Sequence, residues 1–260
     1  MPADHSRPLV EERRREILQM LRAQDRVTVE QLVRHFDVSA VTIRSDLAAL
    51  DAAGDLVRAH GGALRLDAVD LPLGTKARRH HSEKVRIGAA AAALIRDGET
   101  IVIDSGSTAA EVARHIRFQG LHSLTVVTSA LNVGAELARL PYVRVIMLGG
   151  MLRHLSQSTV GPQAEEVLRG LNADHLFLGV DAVDLEAGMS TPDVLEAQLN
   201  ALMIRVSRTV TLVADASKFT RRSLSVIGPL SSVQRVVTDD AVDPGIVTQL
   251  RARGLDVTVV

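Results

Sequence analysis

The chain has 260 residues, 46% of them hydrophobic and 23% charged, with a formal net charge of −1: enough apolar material for a substantial core and no overall bias toward nucleic acid. It has no cysteine, which excludes disulfides, zinc–thiolate sites and a cysteine nucleophile. With no Trp, one Tyr and four Phe it is poorly equipped to recognise a ligand by aromatic stacking.

The opening residues, MPADHSRPLVEERRREIL, hold no apolar run of the kind a secretory leader carries, and no apolar stretch approaches the ~20 residues that span a bilayer. A cytoplasmic protein without a membrane partner is expected. Residues 1–66 contain ten basic and ten acidic residues, so any nucleic-acid footprint there must come from how charge is arranged on one face.

Along residues 9–26, Ile17, Leu18 and Leu21 recur at helical spacing. Thr28 then reads as the N-cap of a short helix, VEQLVRHF, with Leu32, Val33 and Phe36 inward. After a tight DVS connection, Ser39 caps a further helix that runs to about Ala53 and stops at Gly54. LVRAHGGALRL follows as a hairpin around Gly61-Gly62. Three helices and a hairpin make the plan of a winged helix-turn-helix. On a helical wheel Ile43, Leu47 and Leu50 form the core stripe of the 39–53 helix. The opposite side presents Val41, Thr42, Arg44 and Ser45, mostly short side chains that admit the helix to a DNA major groove. Ser39, Val41, Thr42, Arg44 and Ser45, with Arg58 and His60 of the hairpin, are the candidate DNA contacts. The competing reading is an ordinary surface helix with Arg44 and Asp46 solvated; the basic hairpin beside it favours the DNA reading.

Residues 67–83 lack periodicity and include Pro72, Gly74 and a basic run, and read as a linker. The histidines at 80 and 81 in that run are not expected to bind metal, and no cofactor is implied. From Lys84 onward, helix-like segments (84–95, 107–117, 130–139, 163–170, 193–207, 244–253) alternate with apolar strands (101–103, 124–128, 143–149, 175–180, 209–214, 235–238, 256–260). Continuously apolar strands between helices predict an α/β domain with a mainly parallel open sheet. The expected organisation is a domain over 1–66, a linker over 67–83 and a second domain over 84–260.

Ligands of open α/β sheets collect beyond the carboxyl ends of the strands. Those ends carry Asp104-Ser105-Gly106-Ser107-Thr108, then Thr128 with Asn132 one turn on, then Gly149-Gly150 with Arg153 close behind, then Asp181, and finally Lys218; Glu196 lies on the helix between the last two. Each has a plain alternative, since a Ser/Thr/Asp turn often only caps a helix and a surface carboxylate often has no partner. Their convergence on one rim points to a polar phosphorylated molecule, with the phosphate at the start of the 107–117 helix.

Two blocks of residues resemble the DeoR-type transcriptional regulators. The first is TVEQLVRHFDVSAVTIRSDLAALDAAGDLVRAHGGAL; the second comprises IDSGST, VVTSALNV, LGGMLR, TVGPQAE, FLGVDAVDLEAGMSTPD, Glu196 and LVADASKF. The resemblance implies a bacterial repressor of a carbohydrate-use operon that binds double-stranded operator DNA as a dimer or tetramer. It also implies a sensor domain similar to ribose-5-phosphate isomerase that binds a phosphorylated sugar through Asp104 to Thr108, with Asp181, Glu196 and Lys218 around the sugar. The family often has a second Arg where Ser45 stands and Asn where Ser129 stands, departures that bear on operator and sugar preference. The alternative is a sugar-phosphate isomerase with a carboxylate base and Lys218 steadying developing charge. An enzyme has no use for an attached winged helix, so the switch is the favoured expectation.

Overall fold

The computed structural model describes residues 9–24, 26–65 and 70–260. They divide between Val69 and Asp70 into two compact units.

The first unit runs α1 (Val10–Gln24), β1 (Arg26–Thr28), α2 (Val29–Phe36), α3 (Ala40–Ala53), β2 (Leu56–Ala59) and β3 (Gly62–Arg65). Thr28 caps α2 reciprocally: its hydroxyl accepts from the Gln31 amide at 3.1 Å, and its own amide donates to Gln31 Oε1 at 2.8 Å. Asp37 ends α2 in the left-handed conformation. Ser39 Oγ accepts from the Thr42 amide at 3.1 Å to start α3, and Gly54, at φ 85°, stops it. Ile17, Leu21, Leu32, Phe36, Ile43, Leu47, Leu50 and Leu56 form one buried core, each large apolar side chain contributing about 1.5–3 kcal/mol by leaving water.

Two features depart from the sequence reading. Residues 26–28, expected as the last residue of one helix and the lead-in to the next, form an edge strand that pairs antiparallel with β3, giving a three-stranded sheet in the order β1-β3-β2. A Cβ on Gly62 would lie 2.0 Å from Val27 O, so only glycine permits that approach. Asp46 is not solvated. It is 2% exposed and accepts from Arg13 Nε at 2.5 Å and Arg14 Nε at 3.1 Å, tying α3 to α1.

The second unit begins with α4 (Leu73–Arg78) and α5 (His81–Ala92). Of the stretch expected as a linker over 67–83, residues 67–69 lie outside the described residues and 70–83 fall in the second unit. Leu73 is buried and its amide donates to Leu155 O at 2.7 Å. The chain continues through β4 (Thr100–Ile103), α6 (Ser107–His115), β5 (Leu124–Thr128), α7 (Leu131–Leu137), β6 (Val143–Met147), β7 (Met151–Arg153), β8 (Ser158–Val160), α8 (Pro162–Arg169) and β9 (Ala173–Leu178). It ends with β10 (Ala182–Asp184), β11 (Gly188–Thr191), α9 (Val194–Val206), β12 (Ser207–Val213), β13 (Ser225–Gly228), β14 (Arg235–Thr238), α10 (Pro244–Ala252) and β15 (Asp256–Val259).

Seven strands form one parallel sheet in the order β15-β14-β12-β9-β4-β5-β6. Alternate residues face opposite layers, as the pleat requires. Ile101 and Ile103 pack with Ile87, Val112 and Val133 of α5–α7, whereas Val102 belongs to the layer of Leu168, Leu199 and Leu250 of α8–α10. The chain winds outward from β4 through β5 to β6, then returns to place β9 on the other side of β4. The order therefore reverses between β4 and β9, and their carboxyl ends flank the crevice where open sheets hold ligands. A two-stranded ribbon (β7-β8) and a three-stranded sheet (β10-β11-β13) complete the unit; neither was expected from sequence.

Candidate functional site

Asp104 leaves the end of β4 directly into the crevice. It is 3% exposed, and its Oδ2 accepts from the amides of Gly106 at 2.9 Å and Gly179 at 3.2 Å. A Cβ on either glycine would lie 3.1 Å from Asp104 Oδ2 and 3.3 Å from the other glycine's Cα, so the turns after β4 and β9 close over this carboxylate because neither has a side chain. Burial raises the Asp104 pKa to about 6 against the pull of the Ser105, Gly106 and Gly179 amides, and Glu196 adds to the rise.

Beyond Asp104 the chain enters α6 at Gly106, with no side chain capping the helix. A Ser/Thr cap was the plain alternative for this turn; instead no side chain among the described residues caps the helix, and Ser105, Ser107 and Thr108 border a small cavity. That arrangement favours an anion, through free N–H groups and the helix dipole.

Of the residues singled out from sequence, Asp104, Ser105, Gly106, Ser107, Thr108, Asp181, Glu196 and Lys218 line this cavity. Asp181 lies beyond β9. Burial alone would raise its pKa, but Lys76 at 2.9 Å and Lys218 at 3.8 Å outweigh it and hold the carboxyl at about 2. Five residues lie off the cavity wall. Thr128 is fully buried, its hydroxyl donating to Ile103 O at 2.7 Å and accepting from the Ala130 amide at 3.1 Å, so it shapes the β5 turn. Asn132 sits on α7 and is not among the lining residues. Gly149 and Gly150 form an exposed turn; at Gly150, φ is 124° and a Cβ would meet Val160 O at 2.7 Å, a backbone reason for glycine. Arg153 is set behind the wall, with Nη1 3.3 Å from Glu196 Oε1 and Nε 3.0 Å from Asp193 Oδ2.

The lining also contains Lys76, Ser156, Thr191 and Asn200, which the sequence reading did not select. Lys76 lies in the stretch expected as linker, and only its contact with Asp181, 105 residues away, reveals its place. Lys84, behind it, is buried. Its Nζ donates to Lys76 O at 2.7 Å and to Arg79 O, fastening the end of α4, and burial lowers its pKa to about 8 although Asp215 opposes the shift.

In the first unit, Val41 is 73% exposed and Arg44 and Ser45 are exposed beside it. Thr42 is half-buried, with Oγ1 2.9 Å from Ser39 Oγ, so these two hydroxyls engage each other at the start of α3. Arg58 and His60 are exposed on the hairpin. A concave surface joins α2, α3 and the hairpin tip; Arg44 and His60 lie on it together with Arg26 and Arg34, two arginines absent from the sequence-based set.

Residues 13–69 match the family model described as "DeoR-like helix-turn-helix domain", and residues 79–240 match "DeoR C terminal sensor domain". The chain belongs to the DeoR family of transcriptional regulators. Among DeoR-family relatives, it is 39% identical to the "Putative aga operon transcriptional repressor" of Escherichia coli O157:H7, over 96% of this chain and 93% of that protein. It is 35% identical to the transcriptional repressor AccR of Agrobacterium fabrum, over 88% and 89% of the two chains. It is 34% identical to the glycerol-3-phosphate regulon repressor of Escherichia coli K12, over 86% and 88%. Among solved structures, ribose 5-phosphate isomerase A of Methanocaldococcus jannaschii aligns over 54% of this DeoR-family chain and 55% of its own, with a TM-score of 0.40 and 17% identity.

Proposed function

We propose that this DeoR-family regulator represses a carbohydrate-use operon and that a phosphorylated sugar, seated at the β4–β9 crevice of the second unit, modulates its hold on operator DNA. The observation that carries this reading is the uncapped start of α6, opening with Ser105, Ser107, Thr108 and Lys218 onto a polar cavity, in the same chain as an α3 that exposes Val41, Arg44 and Ser45. The phosphate sits at the α6 N-terminus. Asp181, Glu196 and Asn200 supply acceptors and donors for sugar hydroxyls. The names of the relatives, repressors of an operon and of a glycerol-3-phosphate regulon, support the same reading.

The protein acts in the cytoplasm as at least a dimer, because helix-turn-helix readers pair two recognition helices with two half-sites about one helical turn apart. It is a switch and not an isomerase. A thermal-shift screen of the full-length protein against glycerol 3-phosphate, pentose 5-phosphates and hexose 6-phosphates should give one class that raises the melting temperature, since a ligand of the native state alone stabilises by mass action. Lys218→Ala should abolish that rise and leave operator binding intact. Stabilisation unaffected by Lys218→Ala would remove the crevice from the reading, and rapid interconversion of an added sugar phosphate would replace the switch with an enzyme.

A further inference from the structure

Among the described residues, Lys76 and Lys218 at the crevice wall and Arg153 behind it each already have a carboxylate. Lys76 Nζ is 2.9 Å from Asp181 and 3.4 Å from Asp70 Oδ1. Arg153 pairs with Asp70, with Asp193 at 3.0 Å and with Glu196 at 3.3 Å. Lys218 lies 3.8 Å from Asp181. An incoming phosphate that draws on these cations must therefore displace a carboxylate, and the four are not equally held. Asp193 is the N-cap of α9, accepting from the Glu196 amide at 2.9 Å. Glu196 is buried within α9. Asp181 accepts from the Thr191 hydroxyl at 3.0 Å as well as from Lys76. Asp70 lies in irregular backbone ahead of α4, and its buried Oδ1 has no hydrogen-bond donor among the described residues.

Resting on the proposed reading of the crevice, we infer that Asp70 is a built-in competitor for the effector: its carboxylate occupies Arg153 and Lys76 until a phosphorylated ligand takes them, which releases the segment 70–78. Leu71 and Leu73 of that segment line the cavity, and among the described residues it is also tied by the Leu73 amide to Leu155 O, the Lys84 ammonium to Lys76 O and Lys76 to Asp181. Asp70 is also the first residue of the second unit, directly continuous in sequence with the first. Occupancy of the crevice is thus written into the first residues of the second unit.

The test compares the full-length protein with Asp70→Asn, using inorganic phosphate as the probe. Phosphate binding is measured by calorimetry, and hydrogen exchange is followed across residues 70–78. Asp70→Asn should bind phosphate at least about fivefold more tightly, the lower end of ordinary coupling between sites. In the unaltered protein, phosphate should speed exchange across 70–78; in Asp70→Asn that exchange should be fast without phosphate. The exchange measurement on the unaltered protein stands even if the variant misfolds. Equal affinities, or slower exchange across 70–78 on adding phosphate, overturn the role of Asp70 and leave the crevice reading intact. Absence of binding by phosphate and by the sugar-phosphate panel, or phosphate binding that persists in Lys218→Ala, defeats both.

Discussion

Arg44 and Asp104 show how burial divides two charged side chains between roles. Arg44 is exposed on the outward side of α3, free to meet a base edge or a phosphate. Arg44→Ala should weaken operator binding by about 1–3 kcal/mol if the guanidinium reads a base. A gel-shift titration against operator and scrambled duplexes separates this from a phosphate contact, which weakens both equally. Asp104 is the reverse case, a carboxyl taken out of water with a pKa near 6. Because that value lies above the ordinary unfolded one of about 3.9, the folded state binds the extra proton between pH 4 and 6, and stability falls as pH rises through this window. The loss attributable to Asp104 is on the order of 3 kcal/mol. Urea melts of the protein and of Asp104→Asn at pH 4.5 and 7 should show a stability difference that shrinks in the variant. Asp181, held near 2 by its lysines, acts oppositely and only below about pH 4.

At the scale of elements, the first unit is held by ties of unequal reach and strength: Asp46 joins α3 to α1 across 33 residues, whereas Thr28 caps α2 from three residues away. Asp46→Ala breaks the buried ion pair that ties α3 to Arg13 and Arg14 of α1, and should cost the first unit about 3–5 kcal/mol. Thr28→Ala removes one cap and should cost about 1 kcal/mol. Chemical denaturation followed by circular dichroism ranks the two. These ties also mark what the sequence could disclose. Thr28, Ser39 and Gly54 announce the ends of α2 and α3 because capping is chemistry between near neighbours, and the Val-Val runs of β5 and β14 are legible because a strand covered on both faces is apolar along its middle. The three-residue strands β1, β7, β8 and β10 are too short to show a period. Lys76 and Arg153 carried no signal of their geometry, since their partners lie 105 and 83 residues away. Gly150 and Thr128, drawn into the expected site by their position at strand ends, serve the backbone.

For the whole molecule, the proposed switch is a coupling free energy between crevice and operator. A useful value is about 1–3 kcal/mol, or about 5–150-fold in affinity, and it must be reciprocal: operator DNA should weaken or strengthen effector binding by the factor by which effector alters DNA binding. Titrating effector with and without saturating operator measures one side, and titrating operator with and without effector the other; unequal factors would rule out a simple linkage. Affinity for operator should also fall with salt, with a slope of roughly one unit for each phosphate neutralised by an arginine such as Arg44 or Arg34.

The reversal of strand order between β4 and β9 has a consequence for biosynthesis. The first unit has its own core, complete by Arg65, and emerges from the ribosome first. The crevice is stitched from both sides of the reversal, with Gly179 and Asp181 delivered only after β9. A product truncated before Ala173 would keep the whole reading head and lack half of the receptor. Such a fragment is predicted to be deaf to the metabolite however well it engages DNA, so premature termination in the middle of this gene would be expected to yield uninducible alleles as well as null ones.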